Sequence, residues 1–312
     1  MNVRIIVNPV SGGGKGRAMA DALRLALERR RQDVDLLVTT QPGDARMFAA
    51  RPGAERTVAV GGDGTVNEVA NGLAESDASL AILPMGVGNV VARQLGFPRD
   101  PEALADLVVH GATRYIDAGL CGDRRFLMGA GAGLDGAVAA RVDGLRKGKK
   151  LGLASYVIPV ARTVFFDTLP KTTVTTDGEI LCNDAEYVVI GNCRESTGIF
   201  AATPEAEIDD GLLDVCVMRD LKFLHVVQLI WAVLRPGFAE RADILYRKAR
   251  TVKLSPSEGE AARLQIDGDP AGFIPATFHI LPKALSVVTG GLVGAPARLD
   301  EAVCQRVASS AS

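Results

Sequence analysis

The stretch "TVAVGGDGTVNEVANGL" (Thr57–Leu73) runs four strand-forming residues into Gly-Gly-Asp-Gly and then straight into a helical pattern. Glycine at such a junction costs conformational entropy, so something there needs bare backbone and the carboxylate of Asp63. A helix N-terminus offers unpaired amides and the positive end of the dipole, which suits phosphate oxygens. A carboxylate beside a phosphate repels it unless a cation lies between, and Mg²⁺ is a suitable hard cation. Thr65 and Glu68 have the T-x-x-E spacing of a capping box, which predicts a helix starting at Thr65. A glycine turn with a solvated aspartate competes as the explanation of this loop taken alone.

Two further loops repeat the arrangement. "IIVNPVSGGGKG" places Asn8, Ser11, Gly12, Gly13 and Gly14 after the first strand. It is not a Walker A loop, because Pro9 stands where the first glycine of G-x-x-x-x-G-K belongs. "LPMGVGNVVARQLG" places Gly86, Gly88 and Asn89 after a later strand. Glycine loops at the strand ends of one parallel sheet converge on one edge, where open α/β folds bind ligands. Together the three predict a nucleotide site. "GAGLDG" (Gly131–Gly136) also fits G-x-G-x-x-G, but it lies beyond the alternating region and reads as a tight strand-to-helix turn.

The elements that must carry these loops alternate. "VRIIV", "VDLLVTT", "TVAV" and "LAILPM" read as strands; "RAMADALRLALERRR", "VNEVANGLAE", "VVARQLG" and "PEALADLVVHG" read as helices. That pattern predicts an α/β nucleotide-binding domain with a parallel sheet over residues 1–118. From 119 to 289 the character changes. "KTTVTTDGEILC" carries an Asp-Gly hairpin turn, and "EYVVIGNC", "LLDVCVMRD", "RTVKLS", "RLQIDGD", "ATFHIL" and "ALSVVTG" have strand length. A mostly antiparallel β-sandwich is predicted there, and the tail from about 290 to 312 is helical in spacing and can pack back on the first domain.

Composition excludes several classes. With 312 residues, 47% of them hydrophobic, the chain can bury a large core. A net charge of −2 gives no basic field for nucleic acid. Five cysteines without a CxxC pair read as buried thiols of a reducing cytosol, and three histidines make a soft-metal site improbable. The N-terminus reads as lacking a signal peptide, and no apolar run reaches the roughly 18 residues of a membrane span.

Taken together, "NPVSGGGKG", "GGDGTVNEVANGL", "LPMGVGNVVARQLGFP", "GAGAGLDGAV", "PEAEIDDGLLDV" and "IDGDP" resemble, in order, the diacylglycerol kinase catalytic family of bacterial lipid kinases related to sphingosine and ceramide kinases. "GGDGT" alone is shared with NAD kinases and some phosphofructokinases. The likeness runs from Val3 to about Val288.

The resemblance implies ATP bound between the two domains and direct transfer of its γ-phosphoryl group to a lipid hydroxyl on diacylglycerol, ceramide or a sphingoid-type acceptor. By position, Asn8, Pro9, Val10, Ser11, Gly12, Thr40, Gly62, Asp63, Gly64, Thr65, Val66, Asn67, Glu68 and Val87 match ATP contacts. In "PEAEIDDGLLD", otherwise an acidic surface turn, it implies a structural Mg²⁺ on Asp210 with main-chain carbonyls of Glu207 and Leu212. In "IDGDP", otherwise a plain hairpin turn, it makes Asp269 the proton acceptor and Asp267 its neighbour in the site, with Asp63 organising metal and phosphate.

Two departures stand out: Val87 replaces a threonine whose hydroxyl faces phosphate, and Asp269 replaces a glutamate. A cytoplasmic protein with peripheral membrane contact is expected, and a homodimer stays open. "LGLASYVIPVARTVFF" and "FLHVVQLIWAVLRPGF" are candidates to line a lipid opening, and Arg141, Arg146, Lys147, Lys149 and Lys150 to meet anionic headgroups, although solvated helix-end charges explain that cluster as well. A kinase for a soluble acceptor such as NAD, and a nucleotide- or lipid-binding regulator without turnover, are the alternatives.

Overall fold

The computed structural model describes residues 1–146, 163, 169–194, 202–219 and 244–290. Up to His110 strands and helices alternate as expected: β1 (Asn2–Val7), a single turn α1 (Ser11–Gly14), α2 (Gly16–Arg29), β2 (Asp33–Val38), α3 (Asp44–Ala49), β3 (Arg56–Gly61), α4 (Asp63–Gly72), β4 (Ser79–Pro84), α5 (Val90–Gln94) and α6 (Pro101–His110). The four strands pair in parallel in the order β2-β1-β3-β4. Ile5, Ile6, Val58, Val60, Ile82 and Leu83 are fully buried, as strands covered on both faces must be. Helix α2 presents Ala20, Leu23, Ala26 and Leu27 to that core, a helical spacing. Asp100 caps α6 by accepting from the Ala103 amide at 2.9 Å, with Pro101 in the first turn.

The sheet does not stop at β4, and it is mixed rather than purely parallel. "ATFHIL" and "ALSVVTG" are not separate strands but one, β16 (Ala276–Thr289), with a register shift between Leu281 and Leu285. Its far end pairs in parallel with β4 at Val287 and Leu80. Its near end pairs antiparallel with β13 (Thr251–Pro256), so the sheet continues β16-β13-β8-β9, with β8 at Thr172–Thr176 and β9 at Glu179–Ala185. Strand β5 (Ala112–Cys121) flanks β16 and pairs with β6 (Arg124–Phe126). The expected boundary at 118/119 therefore falls inside β5.

A second sheet is wholly antiparallel: β12 (Ile244–Ala249), β11 (Leu213–Met218), β10 (Tyr187–Gly191), β7 (Gly129–Gly133), β14 (Arg263–Ile266) and β15 (Asp269–Phe273). Val174, Val252, Leu254 and Phe278 of the first sheet share a core with Ala130, Val188, Ile190, Val215 and Leu264 of the second. The expected sandwich is present. Asp177 and Gly178 turn β8 into β9 with φ of 47° and 90°, as the Asp-Gly signal requires. Helix α7 (Leu134–Arg146) follows β7 directly, so "GAGLDG" is the expected strand-to-helix turn.

Among the described residues no helix is long and apolar enough to cross a membrane. Of the described cysteines, Cys182, Cys193 and Cys216 are buried and Cys121 is half-buried. Arg141 lies on α7 and donates to Thr163. Arg146 ends α7; Lys147, Lys149 and Lys150, the two apolar segments apart from Thr163, and the tail beyond Gly290 lie outside the described residues.

Candidate active site

The three glycine loops do meet, by direct backbone approach. A Cβ on Gly86 would stand 2.8 Å from the Gly62 Cα, and one on Gly12, where φ is +60°, would strike the Met85 side chain. Bare backbone is needed there so that the loops can touch, a reason invisible in the sequence. Around Gly64 the space is open, and Val10 and Val87 are exposed at the loop tips, Val87 to 95%. Asn8 shapes the first loop: its side chain accepts from the Val10 amide at 3.2 Å and its carbonyl from Ser11 Oγ at 2.7 Å.

Helix α4 starts two residues earlier than the capping-box spacing predicts, at Asp63, with Gly62 as N-cap and no side-chain cap. Thr65 and Val66 are buried, and the Thr65 side chain packs on Gly61, where a Cβ would stand 2.5 Å from it. Glu68 instead accepts from the Gly43 amide at 3.1 Å. Thr40 donates both its amide (2.7 Å) and its hydroxyl (2.8 Å) to Asp44, which holds that carboxyl below the usual range. The Thr40 oxygen is left to a ligand only as an acceptor.

Asp63 reaches across to the third loop. Its oxygens accept from the Asn89 amide at 2.8 Å and the Val90 amide at 2.7 Å, the start of α5. A Cβ at Gly88 would come within 2.8 Å of the same carboxylate. Asn89 closes the loop on itself, accepting from the Gly86 amide (2.8 Å) and donating to the Gly86 carbonyl (2.6 Å). Asp63 thus fixes the geometry of a second glycine loop, and each oxygen keeps a further lone pair for a cation.

One turn along α4, Asn67 donates to Asp267 in the β14–β15 turn. Asp267 also accepts the amides of Leu127 (3.1 Å), Met128 (3.0 Å) and Gly129 (3.0 Å). Burial pushes its carboxyl up to about 6, while the amides of residues 127–129 and the Arg124 charge pull it back. At neutral pH it is therefore a carboxylate with every oxygen engaged, a brace rather than a free base. A further turn along α4, Asn71 accepts from the Arg125 amide at 3.2 Å and donates to the Arg125 carbonyl at 3.1 Å.

Asp269, half-exposed, faces Arg124, whose Nη2 lies 3.4 Å from its carboxylate and 3.0 Å from the Ile266 carbonyl. The buried Cys193 thiol is pushed up by burial first, and the charges of Asp267 and Asp63 add to it. Asp63 and the 267–269 turn are linked through α4, which begins at Asp63 and whose Asn67 donates to Asp267. Asn71 and Arg124 were not read from sequence, and Asn67 was read as an ATP contact rather than as the tie to Asp267. The signal was present, since Asp63, Asn67 and Asn71 stand at i, i+4 and i+8 on one helix face.

The acidic loop has its own cation. Lys248 donates to Asp210 at 2.8 Å and to the Glu205 carbonyl at 3.2 Å, and lies 3.8 Å from Asp214. The second Asp210 oxygen accepts from the Leu212 amide at 3.0 Å. Asp214 is fully buried, and its Oδ2 has no hydrogen-bond partner among the described residues; burial pushes it up to about 6, while the Tyr246 hydroxyl at 2.6 Å and Lys248 pull it back. Arg114 takes up Asp209 at 2.8 Å. Among the described residues no three His, Cys, Asp or Glu side chains converge on a metal-sized point. The oxygen-only donors and the surplus of carboxylates over cations nonetheless suit a hard divalent ion.

Two family models match the chain. Residues 2–121 match the diacylglycerol kinase catalytic domain, and residues 129–289 match the YegS C-terminal NAD kinase beta sandwich-like domain. A diacylglycerol kinase of Mycobacterium tuberculosis is 31% identical over 297 residues, spanning 92% of this chain and 94% of the relative. A diacylglycerol kinase of Bacillus subtilis is 29% identical over 292 residues, spanning 91% and 95%. A solved structure of a diacylglycerol kinase from Bacillus anthracis superposes with a TM-score of 0.69 at 25% identity, covering 93% of this chain and 97% of that one.

Proposed function

This chain belongs to the diacylglycerol kinase family, and we propose that it transfers the γ-phosphoryl group of ATP to the hydroxyl of a membrane lipid, diacylglycerol first among the acceptors. The relatives' name denotes phosphoryl transfer to an alcohol. The observation that supports the reading for this chain is that α4 carries both Asp63, which holds the third glycine loop, and Asn67, which holds the 267–269 turn. Phosphoryl transfer asks mainly for placement and charge compensation. Asp63 and Asn89 set the phosphate-side loops, Arg124 puts a positive charge beside the acceptor side, and Asp269 takes the hydroxyl proton. ATP contacts are assigned to the first loop, the α4 start and the Val87 loop. No covalent enzyme intermediate is required. Mg²⁺ bound with the nucleotide supplies charge neutralisation on the phosphates. A cytoplasmic location with peripheral membrane contact belongs to the same proposal.

The test is an acceptor panel: γ-labelled ATP and Mg²⁺ with mixed micelles of diacylglycerol, ceramide or sphingosine, and NAD in solution. Labelled diacylglycerol is expected. Labelled NAD would transfer the reading to the soluble-acceptor alternative, which the description of the matched second domain keeps in view.

Val87 carries a prediction of its own. Its side chain is almost wholly exposed, so Val87→Thr disturbs no packing while adding a hydroxyl to the phosphate side. A hydrogen bond to a charged group is worth about 1.5–3 kcal/mol, so kcat/KM for ATP should rise by roughly tenfold or more with Tm unchanged. Unaltered kinetics would show that another donor already serves.

A second prediction concerns the acidic loop, where the reading places a Mg²⁺ on Asp210 and the carbonyls of Glu207 and Leu212, sharing Asp210 with Lys248. A ligand that binds only the folded state raises Tm. Millimolar Mg²⁺ should therefore raise the Tm of EDTA-treated protein, and Asp210→Asn should remove the rise. A Tm indifferent to Mg²⁺ would leave the lysine ammonium as the resident cation.

A further inference from the structure

Gln265 lies on β14 two residues before the catalytic turn and is 2% exposed. Its Oε1 accepts from the Gly268 amide at 2.7 Å, and its Nε2 donates to Asp135 Oδ2 at 3.0 Å. Gly268 is the residue between Asp267 and Asp269, with φ at +82°. The carboxamide cannot be reversed: turned over, it would set an NH₂ against the Gly268 N–H and an oxygen against the carboxyl. Asp135 therefore dictates which end of Gln265 meets the turn.

The room for this carboxyl is built in. A Cβ on Gly131 of β7 would stand 2.4 Å from Asp135 Oδ2, and one on Gly136 would stand 2.0 Å from the Arg263 carbonyl of β14. The glycines of "GAGLDG" thus let the first turn of α7 settle on two strands with Asp135 facing inward. Burial pushes Asp135 up to about 7, and Gln265 pulls it back; in either protonation state Oδ2 has a lone pair to offer. The Asp267 side of the turn is anchored separately, by the amides of residues 127–129.

We propose that Gln265, oriented by Asp135, is a positioning residue for phosphoryl transfer: the chain Asp135–Gln265–Gly268 holds the turn so that Asp269 sits in register with the acceptor hydroxyl. This rests on the 267–269 turn being the transfer site. The relay acts at a distance from the nucleotide loops, so it bears on kcat and leaves KM for ATP alone.

The experiment is a double-mutant cycle with a readout that needs no turnover. Gln265→Met keeps volume and deletes both hydrogen bonds, Asp135→Leu deletes the orienting group, and Asp135→Asn keeps an acceptor oxygen. Loss of one buried hydrogen bond corresponds to roughly tenfold. The expected result is a kcat about tenfold lower in Gln265→Met and in Asp135→Leu, with KM for ATP unchanged. The double variant should be no worse than either single one, and Asp135→Asn should stay near wild type. Hydrogen exchange of the Gly268 amide should speed up in the first two variants and not in Asp135→Asn. Gln265→Met with wild-type kcat, or effects that multiply to about a hundredfold in the double variant, would overturn the proposal. Should the wild-type chain transfer no phosphate, the kinase reading falls; unchanged exchange at Gly268 would then refute the relay by itself. If Asp135→Leu does not fold, Gln265→Met and Asp135→Asn decide.

Discussion

Asp63→Ala is expected to lower phosphoryl transfer by on the order of 10²–10³-fold while leaving a folded chain. The carboxylate stands at the first position of α4 and accepts the amides of Asn89 and Val90 at 2.8 and 2.7 Å. Removing it orphans two donors and frees the loop that carries Gly86, Val87 and Gly88 from α4. Misplacement of a site by about 1 Å can cost 10²-fold, and the seat proposed for a phosphate-borne cation is lost with it. Folding survives because the hydrophobic core around β1, β3 and β4 is not touched. Asp63→Asn should fall between, since it keeps one acceptor but turns an NH₂ toward an amide N–H. Radiolabel transfer, with circular dichroism as the folding control, checks this. Near-normal turnover in a folded Asp63→Ala protein would remove Asp63 from the mechanism.

Asp267→Asn is expected to be worse than its near-isosteric shape suggests. Both carboxylate oxygens are used: one accepts from Asn67 and Leu127, the other from Met128 and Gly129. Whichever oxygen becomes NH₂ faces two donors, and each orphaned buried donor costs about 1–3 kcal/mol. A Tm lower by at least about 4 °C is expected, together with loss of transfer, because the tie from α4 to the turn is cut. The same reasoning gives a pH dependence. Asp267 is pushed up to about 6, so it is ionised above that pH and protonates below it, when the added proton takes up a lone pair that one of the four donors had used. Wild-type kcat should therefore fall as pH drops through about 6. A flat profile from pH 5 to 7, or an Asp267→Asn protein of unchanged Tm, would show that the carboxylate is not the brace described.

The strands and most helices were legible because their burial is written in residue type. Ile5, Val58 and Ile82 lie in apolar runs that only a doubly covered sheet can bury, and "DG" at 177–178 turns a hairpin as its chemistry requires. The convergence of the glycine loops was legible as well, but its cause was not. Gly62 and Gly86 touch across 24 residues of sequence, a contact without any local signal. The capping-box spacing misled about α4 because Thr65 turns into the core while Glu68 is drawn to Gly43, a tertiary contact overriding a local one. β16 read as two strands because its irregularity at Lys283, with φ at 54°, looks like a break. Its parallel pairing with β4, which joins the parallel strands to the antiparallel ones in one sheet, follows from neither end of the chain alone. Lys248 went unread as the partner of Asp210 for the same reason, 38 residues apart in sequence.

The central claim is that Asp63 and the 267–269 turn serve one phosphoryl-transfer cleft for a lipid hydroxyl. The most direct measurement is transfer from γ-labelled ATP to diacylglycerol in mixed micelles, run side by side on the wild-type chain, Asp63→Ala and Asp269→Asn, with nucleotide binding measured on each. The account predicts a labelled lipid product with the wild type, its near-complete loss in both variants, and retained ATP binding in Asp269→Asn. ATP binding by the wild type without any labelled lipid, or full transfer by Asp269→Asn, would contradict it.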